Sequence, residues 1–89
     1  METVVKKAVD PDTGQEYEIE LPAPEVVRKA ILELNYPSDG IRLKEASDIL
    51  AEKFQLSDKQ RSAENRQGDK VFYHDVVYPQ FLYLSKKVN

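Results

Sequence analysis

The sequence predicts an α+β domain: a small antiparallel sheet from an N-terminal β-hairpin, followed by a cluster of three helices. Three observations predict it. Tyr17, Ile19 and Leu21 alternate strictly with Glu16, Glu18 and Glu20, the period of a strand with one buried face. Two stretches after residue 22 carry apolar residues at helical spacing. Val71 to Lys87 gathers five of the eight aromatic residues and sets Tyr73, Val77, Phe81, Leu84 and Val88 on steps of three and four, as one buried helix face requires.

The hairpin covers residues 1–21 and the helical region residues 22–89, within one domain of 89 residues. A chain of this length buries roughly 60–65% of the surface its unfolded form exposes, enough for one modest core. There is no cysteine and only one histidine, which excludes a disulfide framework and thiolate chemistry and leaves no zinc ligand set. No apolar run approaches a membrane span or a signal-peptide core, so a soluble, cytoplasmic protein with no membrane partner is expected.

In the hairpin, the β-branched VVKKAV precedes Asp10-Pro11-Asp12-Thr13-Gly14. This is turn chemistry, with proline fixing φ and glycine free to take a positive one. Lys6 and Lys7 are expected to face the glutamates across the strands. Asp10, Asp12, Gly14 and Glu16 share part of a calcium-loop pattern. Their glycine comes one position early, however, and Leu21 stands where the bidentate glutamate belongs, so a turn with solvated acids is expected and no metal or cofactor. Pro11-Asp12 with Glu18-Ile19-Glu20 likewise falls short of the metal-binding strands of restriction-type nucleases, which end in lysine where Glu20 stands.

Pro22-Ala23-Pro24 is a stiff linker, and Pro24 suits the first turn of a helix. That helix is expected over Pro24–Leu34, with Val26, Val27, Ala30, Ile31 and Leu34 inward. Asn35 to Gly40 reads as a turn, and Ile41-Arg42 as a short third strand. The second helix is expected over Leu43–Phe54, burying Leu43, Ala46, Ile49, Leu50 and Phe54. Ser57 with Gln60 three residues on matches a capping box and predicts another helical turn. Ser62 to Lys70 is polar, aperiodic and contains Gly68, a loop. In the last helix Phe72 and Leu82 lie opposite the main apolar face, so more than one packing partner is expected. Pro79 either kinks this helix or makes it begin afresh near Tyr78.

Two strands, a helix, a glycine-containing turn, a second helix and a longer last helix is the element order of a winged-helix-like domain, whose final helix enters a DNA groove. From Ile31 onward the chain resembles the N-terminal domain of Mrr-type restriction system proteins. The resemblance rests on ILEL, Gly40, LKEASDILAEKFQLSDKQR, the loop with Gly68, and VFYHDVVYPQFLYLSKK. It implies a winged-helix module that binds double-stranded DNA and is joined, in that family, to a separate nuclease domain. The chain ends at Asn89, where the family continues into wing strands, and includes no nuclease domain. The resemblance therefore carries no cutting activity to it.

Charge distribution agrees in direction. The chain has a net charge of −3, yet residues 57–89 carry 6 basic and 4 acidic groups whereas residues 1–21 carry 2 and 6. Lys59, Arg61, Arg66, Lys70, Lys86 and Lys87 are the cations available for phosphates, and Asn65, Gln67 and His74 the groups for sugar or base edges. The competing reading of these residues is a solvated loop. The alternative function is a protein-interaction or homodimerisation surface on Tyr78, Leu82 and Tyr83, since aromatic anchors dominate interfaces. An enzyme is not expected, and no small-molecule substrate is evident. On an α-helical wheel His74 and Asp75 point about 100° apart and form no acid–base dyad by spacing.

Overall fold

A computed structural model describes residues 1–34 and 42–88, with side chains as far as residue 84. The turn expected over Asn35–Gly40 and the strand residue Ile41 lie outside the described residues. Strand β1 (Thr3–Val9) pairs antiparallel with β2 (Glu16–Pro22), in the register Val4 to Leu21, Lys6 to Ile19 and Ala8 to Tyr17. These residues share the inner face, where Ala8, Ile19 and Leu21 are buried. Lys7 lies opposite Glu18 on the outer face as expected, but Lys6 does not. The strict two-residue period sends Lys6 to the inner face beside Ile19, where its stem is half-buried.

The turn between the strands is built by its own side chains. Asp12 N–H donates to Asp10 Oδ1 at 2.8 Å, Gln15 N–H to Thr13 Oγ1 at 3.2 Å, and Gly14 takes φ +74°. With Asp10 Oδ1 accepting a backbone proton, the acidic pattern is used as an Asx turn. Both strands are covered along part of their outer edges. Val9 N–H donates to Glu64 O at 2.8 Å on the far side of β1, and Gln60 Nε2 donates to Glu20 O at 2.7 Å on β2.

Helix α1 (Pro24–Glu33) starts on Pro24 and buries Val27, Ala30 and Ile31. Helix α2 (Leu43–Lys53) buries Ala46, Ser47, Leu50 and Ala51, and Lys53 pairs with Glu33 of α1 at 3.0 Å. Ile49, expected inward, is 44% exposed. The inward ridge consists of the steps of four Ala46–Leu50 and Ser47–Ala51, and Ile49 stands on the flank of that ridge. Arg42 is the extended N-cap residue of α2. The helix ends in a Schellman motif: Leu56 N–H donates to Ala51 O and Gln55 N–H to Glu52 O, both at 3.0 Å, with Gln55 at φ +54°.

Helix α3 (Asp58–Ser62) has the predicted capping box. Ser57 Oγ accepts from Gln60 N–H at 3.1 Å, and Gln60 Oε1 accepts from Ser57 N–H at 2.8 Å. The same Gln60 amide reaches Glu20, so one side chain both caps α3 and docks it on the sheet.

The last helix runs without a break from Val71 to Val88, and its two halves differ. Val71–Val77 is a π-helix and Tyr78–Val88 is α4. The α-helical half thus begins at Tyr78, directly before Pro79, with no gap between the two halves. Tyr78 N–H bonds to Tyr73 O, five residues back, and the wider turn ends just where a proline ring would meet the carbonyl of residue 75 in an α-helix. The buried face shifts accordingly. Val71, Phe72, Val76 and Val77 enter the core, whereas Tyr73 is only half-buried. The core joins them to Leu21 of the sheet, Val27 and Ile31 of α1, and Leu50 of α2. The expected α+β class, with a hairpin sheet and a helical cluster, is what the structure has.

Candidate nucleic-acid interface

Lys44, Ser47, Asp48 and Ala51 occupy positions i, i+3, i+4 and i+7 of α2, which share one face. Ser47 and Ala51 are small and buried there. Ser47 Oγ donates to Leu43 O at 2.9 Å, which satisfies its proton within the helix. This face lies beside the start of the last helix, and together with Arg61, Lys70, Phe72 and Tyr73 it lines a concavity of about 170 Å³. Arg61 comes from α3 and Lys70 from the residue preceding the π-helix, so three elements supply its cations.

Two of those cations have carboxylate neighbours. Arg61 lies 3.9 Å from Asp48. Lys70 lies 3.3 Å from Glu64 and also donates to Ser62 O at 3.4 Å. Lys44 makes no ion pair with a described residue. Exposed pairs of this kind contribute only about 0–1 kcal/mol. A phosphate therefore competes for these cations without a large loss.

The loop before the last helix is ordered by Asn65. Its Oδ1 accepts from Gln67 N–H and Asp69 N–H, both at 3.0 Å, and its Nδ2 donates to Asp75 Oδ2 at 3.3 Å. Gly68 takes φ +84°, and Glu64 and Lys70 close the loop as an antiparallel bridge. The polar stretch is thus a small hairpin-like loop.

His74 stands at the loop's exit. Its Nδ1 is 2.9 Å from Asp75 Oδ1, its Nε2 is 3.8 Å from Asp69 Oδ2, and its ring stacks on Tyr78 with centroids 6.3 Å apart. This corrects the separation expected for His74 and Asp75. A π-helix turns less per residue than an α-helix, so neighbouring side chains come closer together. The hydrogen bond to Asp75, with the charge of Asp69 added, raises the His74 pKa above its ordinary value.

The fold gathers some of the sequence-predicted residues and separates others. Arg61 and Lys70 meet at the concavity, with His74 four residues beyond Lys70. Arg66 pairs instead with Glu16 of the hairpin at 3.1 Å, and Lys59 lies over the Tyr17 ring at 5.2 Å. Gln67 is exposed, whereas Asn65 holds the loop together. The side chains of Lys86 and Lys87 lie outside the described residues. Lys44, Ser47, Asp48 and Tyr73 are not site candidates on the sequence alone. The i, i+3, i+4, i+7 spacing of Lys44, Ser47, Asp48 and Ala51 was the available signal, but it looks like any solvated helix flank until Phe72 and Tyr73 are packed beside it.

On α4, Tyr78 is 41%, Leu82 45% and Tyr83 38% exposed. Tyr83 receives the Arg28 guanidinium at 4.2 Å from its ring centroid, and Arg28 Nε donates to Gln80 Oε1 at 3.0 Å. Tyr78 and Leu82, one turn apart, form the more open pair. Among the described residues no group of three or more histidine, cysteine or acidic side chains is placed to hold a metal ion, and no helix is long and apolar enough to cross a membrane. No family model matches the chain, and comparisons with curated proteins and with solved structures return no match.

Proposed function

We propose that this domain is a winged-helix-like module that binds double-stranded DNA in the cytoplasm and performs no chemistry on it. The observation that carries the reading is the convergence of Lys44, Arg61 and Lys70, from three elements, on one concavity at the N-terminal end of the last helix. In helix-turn-helix docking the N-terminal residues of the recognition helix face the base edges while neighbouring elements hold the backbone. Here His74 stands on the first turns of that helix and the cations flank it. The resemblance to the Mrr-type N-terminal domain points the same way. With a net charge of −3 the molecule has little long-range attraction for DNA, so affinity depends on this local cluster.

The test is a fluorescence-anisotropy titration of a labelled duplex over a range of salt. Affinity falls as salt rises, with a log–log slope of about −0.9 per phosphate neutralised. Replacing Arg61 and Lys70 together with glutamine flattens the slope by about 2, whereas Lys7→Gln on the hairpin leaves it unchanged. A dissociation constant weaker than about 10⁻⁴ M at low salt removes the support for this reading.

A second reading, a protein contact or homodimer, is favoured by the open pair Tyr78 and Leu82 on α4. Sedimentation equilibrium separates the two readings. A dimer at micromolar concentration that Leu82→Glu dissociates supports the second, and a strict monomer counts against self-association.

A further inference from the structure

The concavity between α2 and the last helix is not simply a ring of cations. Its base is apolar: Ala51 and Phe72 are buried at 3% exposure each, with half-buried Tyr73 beside them. Arg61, Lys70 and Lys44 stand around that base, and among the described residues Asp48 is the one carboxylate lining it. A bare phosphate seeks donors on every side and gains nothing from an aromatic floor. A flat heteroaromatic body carrying an anionic group satisfies both halves of the site. The volume of about 170 Å³ lies below the roughly 300–1,000 Å³ of pockets for drug-sized ligands. It therefore suits one ring system and not a whole dinucleotide.

Resting on the DNA-binding reading above, we propose that this concavity takes a single unstacked nucleotide of the bound DNA. Its base lies against Tyr73 and its phosphate between Arg61 and Lys70. Asp48 accepts a hydrogen bond from an exocyclic amine, as a carboxylate does from cytosine N4. A base inside an intact duplex is stacked and cannot enter a lateral pocket, so the nucleotide comes from an unpaired position or is turned out of the helix. The site thus favours DNA with a local interruption over a continuous duplex.

The experiment compares two duplexes of the same sequence by anisotropy, one fully paired and one carrying a single unpaired cytosine. Wild-type protein binds the interrupted duplex roughly tenfold more tightly, the scale of one base stacked on an aromatic ring. Tyr73→Leu abolishes that preference, and a thermal midpoint close to that of wild type shows that the variant is folded. An unpaired thymine in place of cytosine, or Asp48→Asn, reduces the preference. Independently, 2-aminopurine at the unpaired position is quenched when wild-type protein saturates the DNA. Equal affinity for the two duplexes, or unchanged 2-aminopurine emission at saturation, overturns the nucleotide pocket and leaves DNA binding standing. Failure to bind either duplex overturns both.

Discussion

Phe72 and Val77 stand five residues apart, and both point into the core at 3% and 0% exposure. In an α-helix two such residues lie about 140° apart around the axis and cannot share a face. The π-helix over Val71–Val77 brings them into phase, as it does Val71 and Val76. The same geometry brings His74 against Asp75 and keeps Tyr73 out of the interior, at the wall of the concavity. One backbone irregularity, placed directly before Pro79, therefore decides which aromatic residue enters the core and which lines the concavity.

A five-residue phase has a measurable consequence. Phe72→Ala is expected to cost about 3–5 kcal/mol in urea unfolding, as a fully buried aromatic does. Tyr78→Ala should cost less than about 1 kcal/mol, because its ring is 41% exposed and, among the described residues, stacks on His74 alone. If the two losses are equal, the helix does not have the phase described.

The Schellman motif at the end of α2 places Gln55 at φ +54°, a conformation costing a non-glycine residue about 1–2 kcal/mol. Gln55→Gly relieves that strain and gives back part of the gain as unfolded-chain entropy. A net stabilisation of about 0.5–1 kcal/mol is expected, read as a rise in the thermal midpoint.

Asn65 holds two backbone N–H groups and one carboxylate. Asn65→Ala is expected to lower global stability by about 1 kcal/mol, since the freed amides are at the surface and water replaces the lost acceptor. Amide hydrogen exchange at Gln67 and Asp69 should accelerate selectively, with exchange in the core of α1 following only the global change.

His74 titrates above its ordinary value because Asp75 accepts its hydrogen bond, with Asp69 adding a second negative charge. The folded state thus favours the imidazolium. Its contribution to stability is complete below the unfolded pKa of about 6.5 and is lost as pH rises through the higher folded value. Thermal midpoints should fall slightly on raising pH across that window, and His74→Gln should remove this component. An NMR titration of the ring should show Asp75→Asn lowering the pKa more than Asp69→Asn does.

Much of the architecture was legible because it is local. The Glu–Tyr–Glu–Ile–Glu–Leu alternation could only be a half-buried strand, and the Ser57–Gln60 box appears with both of its hydrogen bonds. Pro24 marked the first turn of α1. These features depend on neighbours within about four residues, the range over which backbone hydrogen bonds and side-chain periods act. Ile49 marks the limit of such patterns. It fits the apolar stripe of α2, yet the ridge that packs is one residue over, since a period defines a face only to within a fraction of a turn.

By itself the sequence determined an α+β class, a hairpin with an acidic outer face, and a cation-bearing segment ahead of a long final helix. Only the tertiary structure decided that this helix begins as a π-helix, that Lys44 and Asp48 face Arg61 and Lys70, and that Arg66 turns away to Glu16. The physical reason is separation along the chain. Lys44 sits on α2, Arg61 on α3, and Lys70 and Tyr73 at the start of the last helix; the approach of these three elements is set by the packing of Phe72, Val77 and Leu50 in a shared core, and no local hydrogen bond or period encodes it.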